Sequence, residues 1–288
     1  MNQRAEDAFR ADIVEVGRRM YARGYIASND GNISIRLDDN AILTTPKGVS
    51  KGFMTPDMMV VTDLEGKKIR GSRDASSELL MHLEVYRNRS DVGAVVHAHP
   101  PVATGFAVAG IPLDRAVLAE VVTTLGSIPI AEYGTPSTPE LPAAVRKYIK
   151  AHDGLLLANH GALTVAGDVF AAYYKMETIE HFARISLVAR QLGREHLLSR
   201  DEVARLQDLR GNYGITAPAP ICADGSAASN DDQASCQVLQ TPASSAGDGA
   251  RLIPTDPADL DGEIRLSYRE LTALIEDAVK ALLGGQHG

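Results

Sequence analysis

His97 and His99 stand two residues apart at the end of the apolar run Val92–Val96. Side chains two apart along a strand point to the same side, so the two imidazoles can converge on one metal ion. The competing reading of an isolated H-x-H is two polar residues marking a strand end ahead of Pro100-Pro101. A third histidine, His160, follows the apolar run Leu155–Ala158 and precedes Gly161, where a turn or capping role is the alternative. If both strands share a sheet, the three histidines gather at one edge and bind a divalent ion, most naturally Zn²⁺, with a fourth position open for substrate. Cys222 and Cys236 lie in a stretch poor in core-forming residues, so neither a disulfide framework nor a Cys-based zinc site is expected. Any transition metal falls to histidine and carboxylate.

Ser76-Ser77-Glu78 opens a helix, and two hydroxyls with free backbone N–H groups at a helix N-terminus suit an anion such as phosphate. The plain alternative is N-capping. Beside a metal, the Glu78 carboxylate can act as a general base; by itself it reads as complementing the helix dipole. Two Gly-containing loops, Asn29–Ser34 and Thr45–Gly48, also resemble phosphate-facing backbone, although such residues make ordinary turns too. Neither is a GxGxxG or Walker sequence, and nothing suggests nucleotide binding.

The elements that must position these residues alternate between two periods. Phe9, Ile13, Val16 and Met20 recur at helical spacing, and Asn32–Leu37 and Ala41–Thr45 read as strands joined through Asp38-Asp39-Asn40. Ser76–Arg89 reads as a helix and Val92–Val96 as a buried strand. Leu155–Ala158 and Leu163–Val165 read as two more strands, ahead of a long helix over Val169–Leu192. The expected architecture is one αβα domain over 1–216, without internal repeats. With 288 residues and 44% hydrophobic content the chain can fill such a core.

From 217 to 260, 30 of 44 residues are Ala, Pro, Ser, Gly, Asp or Asn and none is aromatic, so a flexible linker is expected over 217–266. Residues 217–288 carry -7 of the net charge of -8, so the acidity belongs to the tail and says little about the substrate. The acidic balance disfavours nucleic acid as a partner. The opening MNQRAEDAFR lacks the apolar core of a signal peptide, and no apolar run approaches a membrane span, so a cytoplasmic location is expected.

In this order the motifs D-GN-S, T-P-K-G, S-S-E, H-A-H-P and N-H-G resemble the class II aldolase/adducin family over roughly residues 5–215. The resemblance implies an α/β fold with a central, largely antiparallel sheet covered by helices. It also implies zinc, one ion per subunit, at a site of His97, His99, His160 and Glu78, with Glu78 also the acid/base, and phosphate held by Asn32, Gly48, Ser76 and Ser77. Lys47 departs from the familiar Thr-Gly pattern of that loop; it either adds a charge for phosphate or projects into solvent. Tyr133 resembles the tyrosine that reaches a neighbouring subunit's site and protonates the aldehyde oxygen, against the alternative of an aromatic core residue.

The activity implied is cleavage of L-fuculose 1-phosphate or L-rhamnulose 1-phosphate to dihydroxyacetone phosphate and L-lactaldehyde by a homotetramer. A ribulose-5-phosphate 4-epimerase, for which Glu120 is the nearest acidic candidate, and a methylthioribulose-phosphate dehydratase remain open. An adducin-like scaffold would have no use for the three histidines and Glu78.

Ser267 and Glu270 form a capping-box pattern ahead of Leu271, Leu274, Ile275, Ala278, Val279, Leu282 and Leu283, a continuous apolar stripe at helical spacing. An amphipathic helix over 267–288 is therefore expected. Tethered by a linker, it resembles the encapsulation peptides that carry enzymes into bacterial microcompartments by docking on a shell protein or co-cargo. Folding back on its own domain or a sister subunit is the alternative. Glu270, Glu276 and Asp277 outweigh Arg269 and Lys280, which disfavours a membrane surface.

Overall fold

The computed structural model of the chain describes residues 3–212, together with Ile215 and Thr272. The chain divides into two units, Met1–Pro242 and Ala243–Gly288, and every element named here belongs to the first. The expected linker over 217–266, the helix expected over 267–288 and both cysteines lie, Thr272 apart, outside the described residues.

In chain order the elements are α1 (Gln3–Ala22), β1 (Asn32–Asp38), β2 (Ala41–Thr44), β3 (Val60–Thr62), β4 (Lys68–Arg70), α2 (Leu79–Asn88), β5 (Ala94–Ala98) and α3 (Pro101–Val108). They continue with α4 (Ala119–Thr124), β6 (Ile130–Ala131), α5 (Glu140–Tyr148), β7 (Gly154–Leu157), β8 (Gly161–Ala166), α6 (Val169–Gln191) and α7 (Arg200–Asn212). The strands form one sheet in the order β4-β3-β2-β1-β5-β8-β7-β6. Every pairing is antiparallel except β6 with β7. This is the α/β, largely antiparallel arrangement that the family resemblance implied.

The pleat sends alternate residues to opposite faces, and each face has its own core. Ile33, Ile35, Ala94, Val96 and Ala162 pack with α1, α3 and α6 through Ile13, Val16, Phe106, Tyr173 and Phe182. Ile42, Val95, Leu163 and Val165 pack with α2 and α5 through Leu83, Val85, Leu141 and Val145. Residues of intermediate register, His97 among them, therefore face α2.

Several element ends differ from the sequence expectation, each for a local reason. Helix α2 starts at Leu79 rather than Ser76, because Ser76 folds into a turn. Its hydroxyl accepts from the Glu78 N–H (3.3 Å) and its carbonyl from the Leu79 N–H (3.2 Å). Strand β5 runs Ala94–Ala98 rather than Val92–Val96, because β1 and β8 both pair with it past the last valine: His97 lies opposite Asn32 and Leu163, and Ala98 opposite Ala162. At its start Gly93 lies so close to Gly167 that an added Cβ would stand 2.1 Å from that residue's carbonyl oxygen. The short elements β3, β4, β6, α3, α4, α5 and α7 carried too little periodic signal to be drawn from sequence. Among the described residues no helix is long and apolar enough to cross a membrane.

Candidate active site

The three histidines come from two neighbouring strands. His97 is the penultimate residue of β5 and His99 follows its end, while His160 closes the three-residue turn that joins β7 to β8. Asn159 makes that turn possible by taking a positive φ of 54°. Gly161 makes it close: an added Cβ there would lie 2.5 Å from the Ala98 carbonyl oxygen and 2.6 Å from His99 Cδ2. The ring centroids are 4.7–5.0 Å apart, and one nitrogen from each ring lies within 4.8 Å of the others.

The partners of the ring nitrogens say what belongs between them. His97 Nδ1 is 2.9 Å from the Ala162 carbonyl oxygen, to which it can only donate, so its Nε2 carries a bare lone pair. His99 Nδ1 faces Asp30 Oδ2 at 3.4 Å, which leaves its Nε2 bare in the same way. These two Nε2 atoms are 3.1 Å apart. Two facing lone pairs repel unless a cation lies against them, and burial holds both histidines below the ordinary range, in the neutral form that ligates metal. The donor set thus fits a divalent ion with imidazole preference.

Glu78 sits at the N-cap of α2, but its side chain caps nothing. Oε1 lies 3.0 Å from His160 Nε2 and Oε2 lies 3.6 Å from His97 Nε2. Asn32 Nδ2 donates to Oε2 at 2.8 Å. Burial pushes the Glu78 carboxyl up, but its hydrogen bond with His160 and its place among the three histidines hold the group below the usual carboxylate range. The carboxylate is therefore ionised and available as a proton acceptor. The dipole-complementing role considered for Glu78 is not what its geometry serves.

Beside this cluster is a pocket of about 250 Å³ lined by Asn32, Gly48, Ser76, Ser77, Glu78 and His99, with Lys47 at the same wall. Gly48 takes a φ of +71°, which turns the loop backbone there. Lys47 is exposed, in keeping with the solvent-facing alternative. The pocket also holds a residue that the sequence reading passed over, Lys51, which is buried although it lies only three positions beyond Gly48. A lysine in a Gly-containing surface loop reads as solvated, and only the packing of α1 against the turn shows otherwise.

Tyr133 is 60% exposed, which removes the core-residue reading. It is not part of the pocket wall in its own chain, although Pro136 and Ser137 of the same loop are. Glu120 lines a different and larger cavity, of about 840 Å³, with Arg23, Tyr25, His181 and Arg184. None of the three histidines lines that cavity.

Residues 11–187 match the family described as Class II Aldolase and Adducin N-terminal domain. A 5-deoxy-D-ribulose 1-phosphate aldolase from Bacillus thuringiensis serovar kurstaki is 34% identical over 206 residues, 71% of this chain and 96% of that protein. A 3-oxo-tetronate 4-phosphate decarboxylase from Pectobacterium atrosepticum is 30% identical over 208 residues, 70% of this chain and 94% of that one. Among solved structures, an L-fuculose 1-phosphate aldolase superposes with a TM-score of 0.66 at 28% identity, covering 70% of this chain and 95% of its own. The agreement of fold, histidine cluster and sequence over more than half its length makes this chain a member of the class II aldolase and adducin family.

Proposed function

We propose that this metal-dependent lyase cleaves a ketose 1-phosphate, L-fuculose 1-phosphate or L-rhamnulose 1-phosphate, to dihydroxyacetone phosphate and L-lactaldehyde, with Zn²⁺ as the metal. One observation carries the reading: the nitrogens of His97, His99 and His160 converge, with Glu78 3.0 Å from His160, and Glu78 and His99 also line a pocket together with Asn32, Gly48, Ser76 and Ser77. Held by His97, His99 and His160, a divalent ion would supply Lewis-acid stabilisation of the negative charge that develops on the substrate's oxygens.

The protein's own groups do the rest, described in the direction of bond formation. The ionised Glu78 takes the proton from the hydroxylated carbon of dihydroxyacetone phosphate, and the electron pair left behind forms the C–C bond to the aldehyde carbon. The aldehyde oxygen receives its proton from a general acid, a role we assign to Tyr133 of a neighbouring subunit in a homotetramer. Cleavage is the reverse. The hydroxyls of Ser76 and Ser77, the Gly48 backbone and the Asn32 side chain hold the phosphate, remote from the reacting bond, and so fix the orientation of the chain of three carbons. Asn32 also donates to Glu78 Oε2 at 2.8 Å and keeps the base aimed.

The test is to load the protein with Zn²⁺ and offer fuculose, rhamnulose and 5-deoxyribulose 1-phosphates, following dihydroxyacetone phosphate with a coupled reductase. Release from none of the three sinks the aldolase reading. The relative named as a 3-oxo-tetronate 4-phosphate decarboxylase supports a second reading on the same metal and phosphate residues, in which the bond broken is the one to a carboxylate. Release of CO₂ from that substrate, without aldehyde from the ketose phosphates, would select it. An epimerase acid at Glu120 has less support, since that residue lines the other cavity.

The capping-box pattern at Ser267 and Glu270 and the stripe from Leu271 to Leu283 support a role for residues 267–288 as an encapsulation peptide, placing the enzyme in a microcompartment lumen within the cytoplasm. Confinement suits a reactive aldehyde product. Residues 261–288 fused to a fluorescent protein and co-expressed with a shell should give puncta; diffuse signal from both the fusion and the full chain would rule the role out.

A further inference from the structure

We propose that Lys51, more than the neighbouring loop lysine Lys47, supplies the fixed positive charge that holds the substrate's phosphoryl group in the pocket beside Glu78. The inference rests on the reading of that pocket as a phosphate site.

Lys51 opens a 3₁₀ turn, Lys51–Phe53, that is pressed against α1. Gly17 of α1 permits the approach, since an added Cβ would stand 2.7 Å from the Lys51 carbonyl oxygen and 3.2 Å from its Cβ. The residue is 2% exposed, so its stem has little room to move and its ammonium has a fixed position. Nζ donates to the Asn29 carbonyl oxygen at 2.6 Å and to the Val49 carbonyl oxygen at 2.9 Å. One acceptor belongs to the loop that leads into Asn32, the other to the loop just past Gly48. The ammonium thereby ties together the two loops whose backbones line the pocket.

Two carbonyls satisfy two of the three ammonium protons and none of its charge. Lys68, Lys147 and Lys175 each have a carboxylate at 2.5–3.0 Å, whereas among the described residues Lys51 has none within ion-pair distance. Asp30 and Glu78 act on it only through their longer-range fields, and burial pushes the ammonium down to about 8. A buried charge without a counter-ion is costly unless a ligand brings one. A phosphate monoester does so with oxygens that can take the third N–H in a charge-assisted bond. It also needs such a charge here, because Glu78 and Asp30 present carboxylates to the same pocket. Lys47, by contrast, is exposed at the wall, where water screens its charge.

The experiment measures binding of inorganic phosphate to the zinc-loaded protein by calorimetry, for wild type, Lys51→Met, Lys51→Arg, Lys47→Met and, as a remote control, Lys150→Met. Lys51→Met should weaken phosphate about 10- to 100-fold, the size of one charge-assisted hydrogen bond, and raise KM for the ketose phosphate more than it lowers kcat. Zinc content should stay at the wild-type level. Lys51→Arg should recover part of the affinity, and Lys47→Met should cost less than Lys51→Met. Wild-type phosphate affinity in Lys51→Met, or a larger loss in Lys47→Met, overturns the inference and leaves the aldolase reading standing. Absence of phosphate binding by the wild type removes the phosphate reading of the pocket and this inference with it.

Should Lys51→Met fail to fold, acylation of the wild-type lysines followed by mass spectrometry reads the same point. Phosphate should slow modification of Lys51 more than that of Lys47, and an equal effect on both overturns the assignment.

Discussion

Glu78 has an unusual set of neighbours for a residue at a helix N-cap: two histidine nitrogens and an asparagine amide, and no backbone N–H of its own helix. Its charge is therefore spent on the pocket. Glu78→Gln should keep zinc, because three imidazoles remain, and should keep the fold, while turnover falls about 10²- to 10⁴-fold because an amide cannot accept the proton. Near-normal turnover in that variant, with the metal measured in the same sample, would remove Glu78 from the mechanism. Replacing any one of His97, His99 or His160 by Ala should instead release the metal, since two protein ligands hold it far more weakly than three. Elemental analysis after dialysis separates the two behaviours, and a zinc-loaded triple-Ala protein would sink the assignment of ligands. At this scale types and spacing singled out the histidines, Glu78, Ser76 and Ser77 but left strand-end, turn and capping readings open, and it was the family resemblance that gave them roles. The sequence was silent on Lys51, whose burial depends on a glycine 34 positions earlier in the chain, Gly17.

At the scale of the element, the turn between β7 and β8 and the end of β5 act as one rigid part. Gly161→Ala would drive a methyl group into the Ala98 carbonyl and the His99 ring, so it should cut zinc affinity about 10- to 100-fold, comparable to loss of a supporting partner of a metal ligand. Unchanged affinity would show that the strands yield freely there.

Helix α2 is fastened to β1 by a buried polar chain: Ser34 Oγ lies 2.7 Å from His82 Nδ1 and 2.8 Å from the Tyr86 hydroxyl. Burial holds His82 down to about 3, well below the 6.5 of an unfolded histidine. The unfolded chain thus takes up a proton that the folded one refuses. The stability from keeping this residue neutral is fully present above about 6.5, and it is lost as pH falls below that value at about 1.4 kcal/mol per unit. His152, held down to about 4 by burial, acts in the same direction over a narrower window. Urea unfolding between pH 7.5 and 5 should show this slope, and His82→Gln should flatten it by about one proton's worth; an unchanged slope would mean that His82 does not titrate on unfolding.

For the whole molecule, the family match spans 11–187 and the described elements end at Asn212, so metal binding and turnover should need nothing beyond them. A chain lacking residues 217–288 should retain wild-type zinc content and kcat while losing co-localisation with a shell. A truncated protein without activity would assign the tail a catalytic part. The deletion also removes -7 of the -8 net charge, so the catalytic unit should focus as a nearly neutral protein, which isoelectric focusing checks.

The sequence by itself determined the alternation of elements and marked His97, His99, His160 and Glu78 as candidates, because H-x-H at a strand end, a carboxylate at a helix start and the periods of 2 and 3.6 are local properties that a chain carries before it folds. The change of composition near residue 217 is likewise read from the sequence alone. Only the tertiary structure decided that β5 continues through His97, since pairing with β1 and β8 extends the strand beyond its own propensity. Only it decided that two bare Nε2 atoms face each other 3.1 Å apart, because the tautomer of each ring is set by a carbonyl or carboxylate from elsewhere in the chain. The choice between Lys47 and Lys51 belongs there too: both are lysines of one loop, and what separates them is the depth at which α1 packs against the second.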